Sequence, residues 1–186
     1  MKYLLLLLAT LPAFAQTATD YQLRPLYHVQ LVPKSGHVGV ASWGVLSDIT
    51  NAHPLKCWAV GGVAFKGKTR WLEVMGGAGH FYPDARASPV LDFRFQDTSI
   101  PRLKLFMEVF CPTRRTMYWP SITTAIPIGR KDWKLWVGGE ADLWWGKNPT
   151  KGGGPKLVVP LGKHFALTTA YHFNTNVLRN YFLYTF

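Results

Sequence analysis

The stretch from Trp133 to Trp145 limits what this chain can fold into more than any other, because its polarity switches at every residue. Trp133, Leu135, Val137, Gly139, Ala141, Leu143 and Trp145 are uncharged, whereas the alternate positions Lys134, Trp136, Gly138, Glu140, Asp142 and Trp144 carry three charges. A period of two belongs to a strand with one apolar and one polar face; a helix would mix the two sets. Thirteen residues at about 3.3 Å each extend roughly 43 Å, enough when tilted by about 40° to cross an apolar layer of about 25 to 30 Å. The terminal tryptophans then fall at the two boundaries of that layer, where amphipathic rings are favoured.

The same logic recurs along the chain. Leu103, Leu105, Met107 and Val109 alternate with Arg102, Lys104, Phe106 and Glu108; Leu91, Phe93 and Phe95 alternate with Asp92, Arg94 and Gln96. Phe165, Leu167, Thr169, Tyr171 and Phe173 oppose His164, Ala166, Thr168, Ala170 and His172. The pattern blurs over 37–45 and 57–65, where Gly, Ala and Val occupy both faces. Composition agrees with a β-rich chain that has wet and greasy faces: 8 Trp, 8 Tyr, 11 Phe and 17 Gly, with only 17% charged residues. No stretch reaches the roughly 18 continuous apolar residues of a spanning helix.

The amino terminus supplies a compartment. Lys2, an apolar run from Leu4 to Leu11 and Ala13-Phe14-Ala15 before Gln16 form a secretory signal peptide, with cleavage expected after Ala15. About 171 residues remain, enough for one domain, and the formal charge of +11 becomes +10 when Lys2 departs. The predicted layout is a signal peptide over 1–15, a periplasmic lead-in over 16–36 and a barrel over 37–186.

At the other end, Phe182, Tyr184 and Phe186 form an aromatic stripe that runs to the last residue. With the signal peptide and the Trp-flanked alternation, this stripe resembles the carboxy-terminal assembly signal of bacterial outer-membrane β-barrel proteins as a class. The resemblance implies an all-β, closed antiparallel up-and-down transmembrane β-barrel in the outer membrane, with the barrel-assembly machinery as a partner through the last strand. About ten strands are expected, with eight to twelve open, near 37–46, 56–65, 70–80, 89–96, 102–110, 116–128, 133–145, 155–161, 164–173 and 179–186. Leu26 to Val32 is also strand-like, but counting it makes the total odd, so it is assigned to the lead-in or to lumen filling. Pro120 and Pro127 each remove a ladder donor, so the strand around them is expected to be bulged or shorter. With ten strands the tight turns and both chain ends share one rim, the expected periplasmic side.

Closure is forced because an unpaired backbone amide in hydrocarbon costs several kcal/mol. A barrel of this size has a small bore. Glu73, Asp92, Arg94, Arg102, Lys104, Glu108, Lys134, Glu140, Asp142 and Arg179 are assigned to its interior, five of each sign. They form either a mutually neutralising network that plugs the lumen or the wall of a narrow pore or polar ligand site. Trp133, Trp145, Phe182, Tyr184 and Phe186 are assigned to the lipid interface. Cys57 and Cys111 stand near one rim and are a possible disulfide in an oxidising compartment, although their strands are not neighbours. Lys66, Lys68, Arg70, Arg130, Lys131 and Lys163 on one rim, and Arg114, Arg115, Lys147 and Lys151 on the other, favour anionic headgroups, including lipopolysaccharide phosphates. Export and lipid-facing stripes argue against nucleic acid.

Catalytic patterns are incomplete. Tyr171-His172-Phe173-Asn174 loosely resembles the His motif of outer-membrane lipid A deacylases, but Asn174 stands where that family has its serine, so the nucleophile is missing. No paired aspartates of the omptin kind lie near an outer loop. No catalytic residue is assigned, and the histidines show no metal-ligand spacing, so no metal or cofactor is expected. Lys151-Gly152-Gly153-Gly154-Pro155 lacks the Lys-Ser/Thr of a phosphate loop and reads as a surface loop. The expected role is a non-enzymatic outer-membrane barrel acting as a narrow pore or as a binding or adhesion platform. A lipid-modifying outer-membrane hydrolase and a secreted soluble β-sandwich are the alternatives. The sequence carries no signal for oligomeric state.

Overall fold

A computed structural model describes residues 20–45, 57–80, 87–112, 115–127, 134–146 and 149–185. The expected signal peptide, Trp133 and Phe186 lie outside these. The described strands are β1 (Asp20–Leu31), β2 (Val38–Val45), β3 (Cys57–Lys66), β4 (Arg70–His80), β5 (Ser88–Asp97), β6 (Leu103–Pro112), β7 (Arg115–Pro127), β8 (Lys134–Gly146), β9 (Thr150–Pro160), β10 (Phe165–His172) and β11 (Val177–Thr185). They form one closed barrel in sequence order. Among the described residues no helix is long and apolar enough to cross a membrane.

The barrel is mixed rather than purely antiparallel. Consecutive strands pair antiparallel, but β1 and β11 close the ring in parallel, in a register that sets Leu23 beside Asn180 and Tyr27 beside Tyr184. Residues 20–31 are therefore wall and not a lead-in. Closure requires only that both edges find backbone partners, and a parallel ladder supplies them as an antiparallel one does. The alternation of Leu26, His28 and Gln30 with Tyr27, Val29 and Leu31 is the same strand signal as elsewhere. Because the strand count is eleven, the chain enters at one rim and leaves at the other, instead of both ends sharing a rim. We call these the N-terminal rim, where β1 begins, and the C-terminal rim, where β11 ends.

The segment around Pro120 is not bulged. Tyr118 faces Leu143 and Ser121 faces Glu140 in one unbroken register, with no pairing between β7 and β8 at Trp119 and Pro120. The proline ring projects outward and is exposed, so the missing donor opens the ladder locally without shifting it. Likewise Gly152 to Pro155 is not a surface loop but the first half of β9, paired with Gly139 to Asp142.

Alternation sorts the side chains by face. Val40, Val63, Val74, Phe93, Met107 and Ile122 point outward and are exposed, while Glu73, Asp92, Glu108, Phe110 and His172 point inward and are fully buried. Several inward positions need glycine: a Cβ on Gly62 would run into the carbonyl oxygen of Val74, and one on Gly138 into that of Ile122. The missing side chains let neighbouring strands coil closely around a small bore.

Candidate functional site: a one-sided cup in the lumen

The lumen has two unlike halves. Toward the N-terminal rim, β2 to β7 contribute Val45, Val60, Met75, Val90, Phe110 and Met117, all buried and packed into one apolar cluster. Phe110 is the centre of this plug, with its ring 4.9 Å from that of Trp58. Beside it, β8 to β11 contribute ions. His172 is completely buried, with Nε2 3.0 Å from Glu140 Oε1 and Nδ1 3.2 Å from Asp142 Oδ1. Arg179 lies 2.5 Å from the second oxygen of Asp142, and Lys156 lies 2.9 Å from that of Glu140. The Tyr181 hydroxyl also points at Glu140, at 3.4 Å. The cluster forms because β9 presents Gly152 opposite Asp142, which leaves room for the imidazole.

Deeper in the β4 to β6 wall lies a second charged group. Arg94 donates to Glu73 at 3.2 Å and stands 3.9 Å from Glu108. Glu73 also receives Gln30 Nε2 at 2.9 Å and meets His28 Nε2 at 2.7 Å. The guanidinium lies 4.1 Å over Trp43, 5.7 Å from Trp71 and 5.2 Å from Phe106, an aromatic surround that suits a desolvated cation. Asp92 is buried between inward-facing Met75 and Phe110, its register partners, and among the described residues neither oxygen has a hydrogen-bond partner. Glu73, Asp92 and Glu108 thus surround one arginine, which faces carboxylates on its inner side.

Above these fillings, toward the C-terminal rim, the lumen opens into a cup of about 570 Å³. A relay of rings circles its wall. His28 and Trp71 have centroids 5.8 Å apart, Trp71 and Phe106 6.2 Å, Phe106 and Trp119 6.0 Å, and Trp119 and Tyr181 5.4 Å. Lys66, Lys68, Arg70, Arg94, Lys104 and Lys156 line the cup, and among the described residues no Asp or Glu does. Arg70 pairs with Asp97 at the mouth, 2.8 Å away. Lys156 also donates to Ser121 at 3.2 Å. Lys104 is different: its ammonium sits 4.4 Å over Trp136, and among the described residues no carboxylate pairs with it.

Of the ten residues assigned to interior charge, Glu73, Asp92, Arg94, Glu108, Glu140 and Asp142 are buried, and Lys104 and Arg179 are partly buried. Arg102 and Lys134 are not inside. Arg102 stands exposed in the turn before β6 with φ of 65°, and Lys134 is exposed at the start of β8. The interior charges missed by sequence reasoning include Lys156 and His28. Each shares the parity of inward neighbours, Val158 in one case and Gln30 in the other, and that parity was the available signal.

Of the interfacial aromatics within the described residues, Trp145 is 59% exposed, Phe182 is 40% exposed, and Tyr184 packs against Phe165 at 4.6 Å. Cys57 and Cys111 are free thiols. They lie on β3 and β6 with two strands between them, a gap of about 14 Å at the usual strand spacing, too far for a disulfide. His172 has both ring nitrogens engaged by carboxylates and no exposure, so it has no face to offer a substrate. Among the described residues no group of His, Cys, Asp and Glu is arranged to hold a metal. Comparison with protein-family models, with curated proteins and with solved structures finds no match to this chain.

Proposed function

We propose that the chain is an integral outer-membrane β-barrel without enzymatic activity, closed to through-flow in its N-terminal half and carrying a binding cup in the other. The observation that carries this reading is the inverted distribution of side chains. Charged groups fill the inside, while Val40, Leu91, Met107, Ile122 and Phe182 are between 40% and 58% exposed on the outside. A soluble barrel leaving such a girdle in water would aggregate, whereas acyl chains match it without cost. The turns after β3 and β9, both on the rim where the cup opens, are tight, the arrangement of a periplasmic rim, so the cup faces the periplasm in this reading. Basic residues at the mouth suit the phosphates of neighbouring headgroups.

Extraction tests it. The protein should stay with the envelope through salt and alkaline washes, dissolve in non-ionic detergent, and run at two gel mobilities according to whether the sample was heated. Release into buffer without detergent would sink the reading.

A further inference from the structure

We infer that the cup is a binding site for a water-soluble anion with a flat apolar body, of the aryl carboxylate, sulfonate or phosphate class. This goes beyond the placement of the barrel in a membrane and stands on the geometry of the lumen alone. The cup's lining presents six Lys and Arg residues and, among the described residues, no Asp or Glu. Three of the six cations already have a partner: Arg94 has Glu73, Lys156 has Glu140 and Arg70 has Asp97. Among the described residues no carboxylate pairs with Lys104, and unlike the exposed Lys66 and Lys68 it is half-buried, above an indole face with Thr123 directly opposite on β7. A partly desolvated ammonium with free donors is the position an anionic head completes.

The body of the ligand follows from the walls. Trp71, Phe106, Trp119, Trp136 and Tyr181 present ring faces and edges to the same space, which suits stacking on a flat ring system. A volume of about 570 Å³ lies within the roughly 300 to 1,000 Å³ of small-molecule sites. Entry is from water and not from lipid, because every neighbouring strand pair in the wall is hydrogen-bonded and the break between β7 and β8 is confined to Trp119 and Pro120. Lys66 and Lys68 at the mouth raise the local concentration of anions before they enter.

The test uses the mature chain in non-ionic detergent, with naphthalene-2-sulfonate as probe and titration calorimetry against detergent blanks. Saturable binding of one probe per chain is expected, weakening as salt rises. Lys104→Met should weaken it by at least about tenfold, and Lys104→Arg should keep it within about threefold. Neutral 2-naphthol and inorganic sulfate, which carry the two halves of the probe separately, should each bind at least about tenfold more weakly. Absence of saturable binding, equal binding by Lys104→Met, or sulfate binding as tightly as the full probe would each overturn the inference. Each sample is run unheated and heated on a gel. A barrel that keeps two mobilities but does not bind defeats this inference alone, and should Lys104→Met lose the folded band, Trp136→Leu replaces it with the same expected loss.

Discussion

At the scale of single residues, Gly152 is a place where the lumen tolerates nothing larger. A Cβ there would lie 2.5 Å from Asp142 Oδ1 and 2.7 Å from His172 Nδ1, so a methyl group must push the imidazole off its carboxylates. Gly152→Ala should cost about 1 to 3 kcal/mol of stability by overpacking. Gly61→Ala should change it by less than about 0.5 kcal/mol, because nothing lies nearer than 3.7 Å to a Cβ at Gly61. Urea titration followed by tryptophan fluorescence checks both, and equal midpoints would mean the ionic cluster is not tightly packed. His172→Leu should cost more, about 3 to 5 kcal/mol, since it strips a donor from two buried carboxylates at once. Glu140 and Asp142 were legible in the sequence because their strand alternates cleanly and ends in tryptophans. Lys156 was not: three glycines and a proline precede it, which erases the period and imitates a loop, although the same glycines are what make room for the cluster. Arg102 failed in the opposite way, since the alternation read from the sequence starts at Arg102 while the backbone there is still in the turn before β6.

Among elements, the seam between β1 and β11 decides what kind of barrel this is. The period of two is as plain in Leu26 to Leu31 as in any later strand, yet an even-number expectation placed it outside the wall. Local sequence specifies that a segment is a strand and which face is inward, but which strand closes the ring depends on long-range pairing that no local pattern encodes. Cross-linking distinguishes the closures. With Cys57 and Cys111 replaced by alanine, Leu23→Cys and Asn180→Cys, which are register partners on the outer face, should be joined by a short bis-maleimide in the folded protein. Val40→Cys with Asn180→Cys should not be joined, because β1 lies between β2 and β11. The reverse outcome would mean that β2 closes a ten-strand ring. The seam matters for the cup as well, since Leu26, His28 and Gln30 on β1 and Tyr181, Leu183 and Thr185 on β11 form part of its wall.

For the molecule as a whole, the question is whether anything passes through it. The N-terminal half of the lumen is filled twice over, by the apolar group around Phe110 and Met75 and by the ionic group around His172. The two fillings fail differently. An ionic network can admit water between its members, whereas packed aromatic and aliphatic side chains must move aside entirely. The full-length barrel in a planar bilayer should therefore show no ion-sized openings. Replacing Phe110 and Met75 together by alanine removes the two large apolar side chains that flank Asp92, which should wet that carboxylate and give a small conductance. Asp92 would then stand in the new path as a fixed negative charge, so the leak should prefer cations, and adding Asp92→Asn should remove that preference while leaving the leak. This dependence on one carboxylate separates a true opening from disordered leakage through a damaged barrel, whose selectivity would not follow Asp92. Stepwise conductance from the unaltered protein would show that the fillings part under a membrane potential, and the cup would then be the vestibule of a pore instead of a closed site.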